Sequence, residues 1–214
     1  MFMTNDIFLS PHFKLSEFVV SETASRHGID NTPPEEAVEN LRRLCQGTLE
    51  PLREALQLPV VITSGFRTKA LNDRLAHSSE RSQHMQGCAA DFYVSSAGAR
   101  RRSRGSMGLW PGSRFNAAEP RFNGPLAQFK VQRAFGPVQG SKFKVQGRRE
   151  LLIKAFRLII TSPEIDYDQL ILYPNFIHVS YVSKERNRHN ILKARSDGKL
   201  GYGRLTRADA LKIE

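Results

Sequence analysis

A basic segment divides this 214-residue chain and limits what the rest of it can fold into. Residues 95–149 hold nine arginines and three lysines against Glu119 alone, which accounts for the whole formal net charge of +11. A segment with this charge and with many glycines and prolines cannot bury enough apolar surface to fold by itself. We therefore expect one domain built from residues 1–94 and 150–214, with residues 95–149 as a low-complexity, largely disordered insertion.

A degenerate seven-residue repeat runs through this insertion. Phenylalanines and valines recur at intervals of seven, at Phe115, Phe122, Phe129, Val131, Val138 and Val145. The interval is that of a coiled coil, but the intervening prolines and glycines exclude a continuous helix. Three interpretations stay open: a solvated tether, an arm that binds polyanions such as nucleic acid or teichoic acid, and a stretch never selected as protein.

The composition of the chain predicts a globular protein without a membrane span. Hydrophobic residues make up 40% of the chain, and no run of 18 apolar residues is present. The first ten residues lack a basic region followed by a long apolar one, so we expect no signal peptide and no export by the general secretory route. Cys45 and Cys88 are the only cysteines, which favours a reducing compartment over a disulfide framework.

Periodicity predicts the elements on both sides of the insertion. Before it we expect a docking segment at 11–31, a helix from Pro33 to Leu56 kinked at Pro51, a strand at 59–63, a short helix at 70–75 and a strand at 89–94. After it we expect a helix from Glu150, strands at 168–173 and 176–181, and a solvated basic tail at 184–189. The fold class is therefore α+β, a small, mainly antiparallel sheet with flanking helices.

Two histidines and one aspartate form a candidate zinc site. His84 and Asp91 are seven residues apart, and Gly87 between them allows a tight turn that returns the chain to the same point. His178 alternates with apolar neighbours in a strand-like run, so its ring faces away from them. Three protein ligands with a fourth position for water are typical of catalytic zinc. We do not expect Cys88 to be a ligand.

The pattern Ser-x-His-x-x-Gly-x-Ala-x-Asp over residues 82–91 resembles the zinc D-alanyl-D-alanine carboxypeptidase family, peptidase family M15, which includes dipeptidases and phage-type endolysins. Four other stretches carry the resemblance: 13–18, 62–67, 168–171 and 176–180. It implies a fold of the hedgehog and DD-peptidase type, with Zn²⁺ held by His84, Asp91 and His178. It also implies that Arg67 contacts the substrate carboxylate or the developing oxyanion, and that Ser82 lines the substrate pocket.

One feature departs from the family pattern. Such enzymes place a Glu or Asp general base shortly before the final zinc histidine, whereas residues 173–177 hold no carboxylate. Asn175 can orient a water molecule but cannot take its proton at neutral pH. Asp168 and Glu80 are the nearest acids along the chain, and neither stands where the family places its base.

These observations predict a zinc metallopeptidase that hydrolyses peptidoglycan stem peptides, as a carboxypeptidase or an endopeptidase. The alternatives are a catalytically silent zinc-binding cell-wall module and a polyanion-binding protein that acts through the insertion. We expect a monomer that binds peptidoglycan peptides, with nucleic acid bound only through 95–149. It would be cytoplasmic until lysis, or phage-associated.

Overall fold

The helices and strands come from both sides of the basic segment. The computed structural model describes residues 6–75, 78–96, 142–194 and 201–213. Within these ranges the helices are α1 Leu15–Val19, α2 Glu22–His27, α3 Glu35–Leu44, α4 Glu50–Leu56, α5 Lys69–Arg74, α6 Lys142–Thr161 and α7 Arg207–Leu211. A π-helical turn spans Cys45–Leu49 and a 3-10 turn spans Gln83–Gln86. The strands are β1 Phe8–Ser10, β2 Phe13–Lys14, β3 Val60–Ser64, β4 Ala89–Val94, β5 Gln169–Leu172, β6 Ile177–Ser180, β7 Asn190–Ala194 and β8 Tyr202–Arg204.

A six-stranded sheet lies at the centre of the fold. Its strand order is β3-β4-β6-β5-β7-β8. Strands β5 and β7 run parallel, and the other neighbouring pairs are antiparallel. Strands β1 and β2 form a separate two-stranded sheet. The predicted α+β class with a mainly antiparallel sheet is confirmed.

The two faces of the sheet differ because side chains alternate along each strand. One face is buried in the core together with residues of α6, and its side chains include Ala90, Phe92, Leu170, Ile177 and Val179. Each large apolar side chain buried in this way contributes about 1.5–3 kcal/mol to folding. The opposite face carries Asp91 and His178, which lie directly across from each other in the β4–β6 pair. As predicted, His178 points away from Ile177 and Val179.

The long N-terminal helix is interrupted just before Pro51, where the sequence predicts a kink. In a helix, residue 51 would donate its N–H to the carbonyl of Gly47, but Pro51 has no N–H. This carbonyl instead accepts a hydrogen bond from the Asp166 amide at 3.1 Å. The Thr48 hydroxyl donates to the Asp166 carbonyl at 2.5 Å. The π-helical turn Cys45–Leu49 therefore anchors the chain that leads into β5.

The start of α6 differs from the sequence prediction. Helix α6 begins at Lys142 rather than at Glu150, since lysine, glutamine and arginine are good helix formers and extend the turn ahead of the buried stretch. Residues 142–149 of the predicted insertion therefore belong to this helix. Ser95 still pairs with the Pro59 carbonyl at 2.9 Å, whereas residues 97–141, including most of the repeat, lie outside the described residues.

The segment at 184–189 is mostly exposed, as its charge predicts, and it contacts the domain at two points. Arg188 forms an ion pair with Asp168 at 2.6 Å, and His189 Nε2 lies 2.7 Å from Asp166 Oδ1. Both partners are acids in the chain that leads into β5, so the basic segment is attached to the domain. None of the helices in the described part of the chain has both the length and the apolar character needed to span a membrane.

Candidate metal centre

His84 is carried by the 3-10 turn that leads into β4. Gly87 ends this turn with φ of 71°, a left-handed conformation that glycine adopts at least cost. A Cβ atom at Gly87 would lie 2.3 Å from the Ala37 carbonyl oxygen, so the turn packs directly on α3. The Cys88 amide donates to the Gln83 carbonyl at 3.0 Å. The chain thus enters β4 at once after presenting His84, as the glycine in the motif predicts.

The imidazole of His84 is oriented by the backbone. Its Nδ1 lies 2.7 Å from the Gly65 carbonyl oxygen. Since a carbonyl only accepts, Nδ1 carries the proton and Nε2 presents its lone pair to the site. Burial lowers the pKa of His84, and its side chain is only 4% exposed. His84 is therefore a neutral imidazole, the form that binds metal ions.

Asp91 and His178 meet because their strands are neighbours in the sheet. His178 Nδ1 lies 2.8 Å from Asp91 Oδ1. Burial alone would raise the pKa of Asp91, but the net shift is downward, and the hydrogen bond from His178 contributes to it. The Asp91 carboxylate is therefore ionised at neutral pH.

The three side chains aim one atom each at a common point. His84 Nε2 lies 3.2 Å from His178 Nδ1 and 3.4 Å from Asp91 Oδ1, and the third side of the triangle is 2.8 Å. A tetrahedral zinc ion with bonds of about 2.0–2.1 Å separates its ligand atoms by about 3.3 Å. The donor types and their spacing therefore fit a zinc ion that keeps one open position.

The structure thus brings together the three ligands that the sequence predicts. Within residues 6–75, 78–96, 142–194 and 201–213, these three form the one group of at least three His, Cys, Asp or Glu side chains close enough to hold a metal ion. Cys88 is buried with a free thiol and lies outside this group.

Arg67 borders the triad on the side of Asp91. Its Nη2 donates to Asp91 Oδ2 at 3.2 Å, while Nε and Nη2 both donate to the Ser64 hydroxyl, at 3.1 and 2.9 Å. One carboxylate oxygen of Asp91, Oδ1, therefore faces the two histidines, and the other, Oδ2, accepts from Arg67. Burial lowers the pKa of Arg67 and the charge of Asp91 opposes this, but a guanidinium remains protonated in proteins. A fixed positive charge thus lies beside the three ligand atoms.

Asn31 holds the turn that presents Arg67. Its side-chain nitrogen donates to the carbonyls of Val19 and Phe66 at 2.8 and 3.0 Å, and its side-chain oxygen accepts from the Thr68 amide at 2.9 Å. These contacts join the N-terminal helices to the strand end. The sequence alone does not indicate this role of Asn31, because its partners are mostly backbone groups far away along the chain.

Asp168 supports the site from behind and is not placed to act as its base. It is 1% exposed. Its carboxylate accepts from Gln83 Nε2 at 2.8 Å, and from the Nε, Nη2 and amide nitrogen of Arg188 at 2.8, 2.6 and 2.9 Å. These hydrogen bonds lower the pKa of Asp168 against the opposing effect of burial. Gln83 precedes His84, so Asp168 fixes the turn that carries a ligand.

Glu80 and Ser82, which were also named from the sequence, lie nearer the surface than the triad. Glu80 is exposed and makes no described contact with the triad. Ser82 is half-buried and precedes the 3-10 turn, and its hydroxyl makes no hydrogen bond to the described residues. Its role in the substrate pocket stays a prediction.

Sequence reasoning missed Tyr173, which lies on the same face as the triad. Its amide donates to the Phe176 carbonyl at 3.0 Å, its ring stacks on Phe176 with centroids 4.2 Å apart, and its hydroxyl is 2.7 Å from that of Tyr202. The alternation of side chains along the strand could have identified Tyr173. It lies two residues after Ile171, and Ile171 lies opposite His178, so all three side chains share a face of the sheet.

The fold and the triad define an α+β protein with a candidate metal centre of two histidines and one aspartate on the sheet face opposite the core. The family model described as Peptidase M15 matches residues 11–104. The match includes Arg67, His84 and Asp91, and it confirms the predicted resemblance to the peptidase M15 family. It supports a peptidase, and hence a hydrolase, function. No curated protein and no solved structure gives a match.

Proposed function

We propose that the protein is a zinc-dependent peptidase that hydrolyses peptidoglycan stem peptides, as a carboxypeptidase or an endopeptidase. The triangle of His84 Nε2, Asp91 Oδ1 and His178 Nδ1 is the observation that carries the proposal, since its sides of 2.8–3.4 Å suit a single tetrahedral zinc ion. The Peptidase M15 match over residues 11–104 is the second support. We place the activity in phage-type lysis and assign it to a monomer.

The residues of the site would have different roles in such a reaction. Zinc, when bound, would supply an activated water and polarise the scissile carbonyl. His84, Asp91 and His178 would hold the ion, and Gly65 keeps His84 in the tautomer that leaves Nε2 available. Arg67 provides a partly buried positive charge for the carbonyl oxygen as it becomes negative, or for the substrate carboxylate.

The charge balance of the site supports an anionic peptide as substrate. Imidazoles bind a metal ion in their neutral form. The remaining charges, those of the Asp91 carboxylate and the Arg67 guanidinium, cancel, so a bound Zn²⁺ would give the site a net positive charge. A positive cleft raises the local concentration of negatively charged ligands. Stem peptides that end in a free carboxylate meet this requirement.

A catalytically silent zinc-binding wall module is the second candidate, and one observation favours it. Among the described residues, the triad holds a single carboxylate, that of Asp91, which is itself a ligand candidate. Asp168 is bound to Arg188 and Gln83, so it does not fill the place of a general base. Zinc binding and peptide cleavage must therefore be measured separately.

Metal content and muropeptide cleavage test the proposal together. We expect about one zinc per chain and cleavage of a muropeptide mixture that stops with a chelator and returns when zinc is added. His178→Ala should lose both zinc and cleavage. His27→Ala removes an exposed imidazole at the end of α2 and should change neither. Full zinc occupancy without cleavage of any muropeptide would favour the silent module, and no zinc at all would refute both.

A further inference from the structure

Tyr173 lies beside the triad by strand register. Ile171 is directly opposite His178 in the β5–β6 pair, and the bond from the Tyr173 amide to the Phe176 carbonyl continues the same pairing. Residues two apart on a strand share a face. Tyr173 and Phe176 therefore form the row of side chains next to Ile171 and His178, on the face that carries the metal ligands.

Three contacts fix the phenol ring of Tyr173. Its ring stacks on that of Phe176 with an interplanar angle of 14°, and it meets the Tyr202 ring edge-on at a centroid distance of 6.0 Å. Its hydroxyl and that of Tyr202 are 2.7 Å apart. Either hydroxyl can be the donor in this pair, and when Tyr202 donates, the O–H of Tyr173 is left to donate to a third group. Tyr202 is 52% exposed, which leaves the pair accessible from solvent.

The charges around Tyr173 are those of the candidate centre. Burial, together with the Tyr202 hydroxyl and the charge of Asp91, raises the pKa of Tyr173, and Arg67 opposes this. Tyr173 in turn raises the pKa of Arg67. Tyr173 is thus within electrostatic reach of both Arg67 and Asp91, and it keeps its proton at neutral pH. Its hydroxyl is a hydrogen-bond donor there and not a base.

We propose that Tyr173, paired with Tyr202, is a substrate-binding residue of this site, whose hydroxyl donates a hydrogen bond to a carboxylate or carbonyl oxygen of the bound stem peptide. The inference rests on the proposed peptidase function and names a polar contact separate from Arg67. Tyr202 acts through Tyr173 and is a positioning residue. Phe176 is the apolar residue of the same row, and its role is to stack on the Tyr173 ring, not to contact the substrate.

Steady-state cleavage of a muropeptide mixture by Tyr173→Phe, Tyr202→Phe and the double variant tests this inference. We expect Tyr173→Phe to lower kcat/KM about 10-fold or more, because a hydrogen bond to a charged or developing negative oxygen is lost. Zinc content and circular dichroism should stay unchanged. The effect of the double variant should equal that of Tyr173→Phe alone, because Tyr202 works through the same contact. Tyr167→Phe, in a buried tyrosine that packs against His189, is the matched control and should keep wild-type kcat/KM.

Two outcomes separate this inference from the proposed function. Unchanged kcat/KM in Tyr173→Phe, or effects of the two single variants that add in the double variant, overturn the inference while the peptidase function stands. If the wild type cleaves nothing, titration calorimetry with diacetyl-L-Lys-D-Ala-D-Ala replaces the kinetic assay. Weaker binding by Tyr173→Phe then supports the inference alone, whereas equal binding, or no binding by the wild type, overturns it.

Discussion

Replacement of Gly87 by alanine tests how the metal-binding turn is built. Gly87 has φ of 71°, and an added Cβ would lie 2.3 Å from the oxygen and 2.9 Å from the carbon of the Ala37 carbonyl. Ala37 is buried in α3, so this carbonyl is fixed by the helix and cannot yield as a flexible side chain does. The alanine must therefore push the turn, and His84 with it, away from its present position.

Gly28 provides the matched control for this substitution. It ends α2 with φ of 61°, and a Cβ there would meet nothing within 4 Å. Both alanine variants carry the same conformational cost of a left-handed residue, about 1–2 kcal/mol. Only Gly87→Ala adds a steric overlap with backbone, for which overpacking costs about 1–3 kcal/mol more. The difference between the two variants isolates the packing of the turn on α3.

Urea unfolding followed by circular dichroism measures both variants in zinc-free protein. We expect a loss of about 1–2 kcal/mol in the free energy of unfolding for Gly28→Ala and about 2–5 kcal/mol for Gly87→Ala. Zinc affinity, measured by competition with a chelating indicator, should fall about 10-fold or more only in Gly87→Ala, because a displaced His84 no longer completes the triangle. Equal losses of stability in the two variants, or unchanged zinc affinity in a destabilised Gly87→Ala, would refute this reasoning.

The remaining predictions concern two buried acids. Asp168→Asn should weaken zinc binding about 10- to 100-fold by loosening the Gln83 contact beside the ligand turn, and chelator competition that gives wild-type affinity would contradict it. At Glu50, burial raises the pKa, but hydrogen bonds from Ser10 and His12 outweigh it and lower the pKa below 4.5. The stability that this carboxylate contributes is therefore fully present above about pH 4.5 and is lost as the pH falls through the lowered pKa. Urea unfolding between pH 3 and pH 7 should show this loss in the wild type and a flatter profile in Glu50→Gln. The same profile in both proteins would count against the role of Glu50.

Local signals in the sequence predicted the elements that carry the candidate site and the three candidate ligands. Alternation around His178 and the glycine in the 82–91 motif are local signals, and they predicted the strand face of the histidine and the tight turn before β4. The interruption of the helix before Pro51 follows equally from local chemistry, since proline lacks an N–H. The start of α6 was misplaced, because a basic, glycine-containing stretch has the composition of a loop and yet extends a helix whose later turns are buried.

The candidate ligands could thus be named from residue type and spacing, which are properties of short stretches of chain. Only the folded chain determines the tautomer of His84, the division of the Asp91 oxygens between Arg67 and the triad, and the positions of Tyr173 and Asp168. Each depends on contacts such as His84 to Gly65 or Asp168 to Gln83. Such contacts form between segments far apart in sequence, because the strand register and the buried face of the sheet bring them together. The sequence therefore determined which groups are available for a metal centre, and the packing decided how they are charged, oriented and supported.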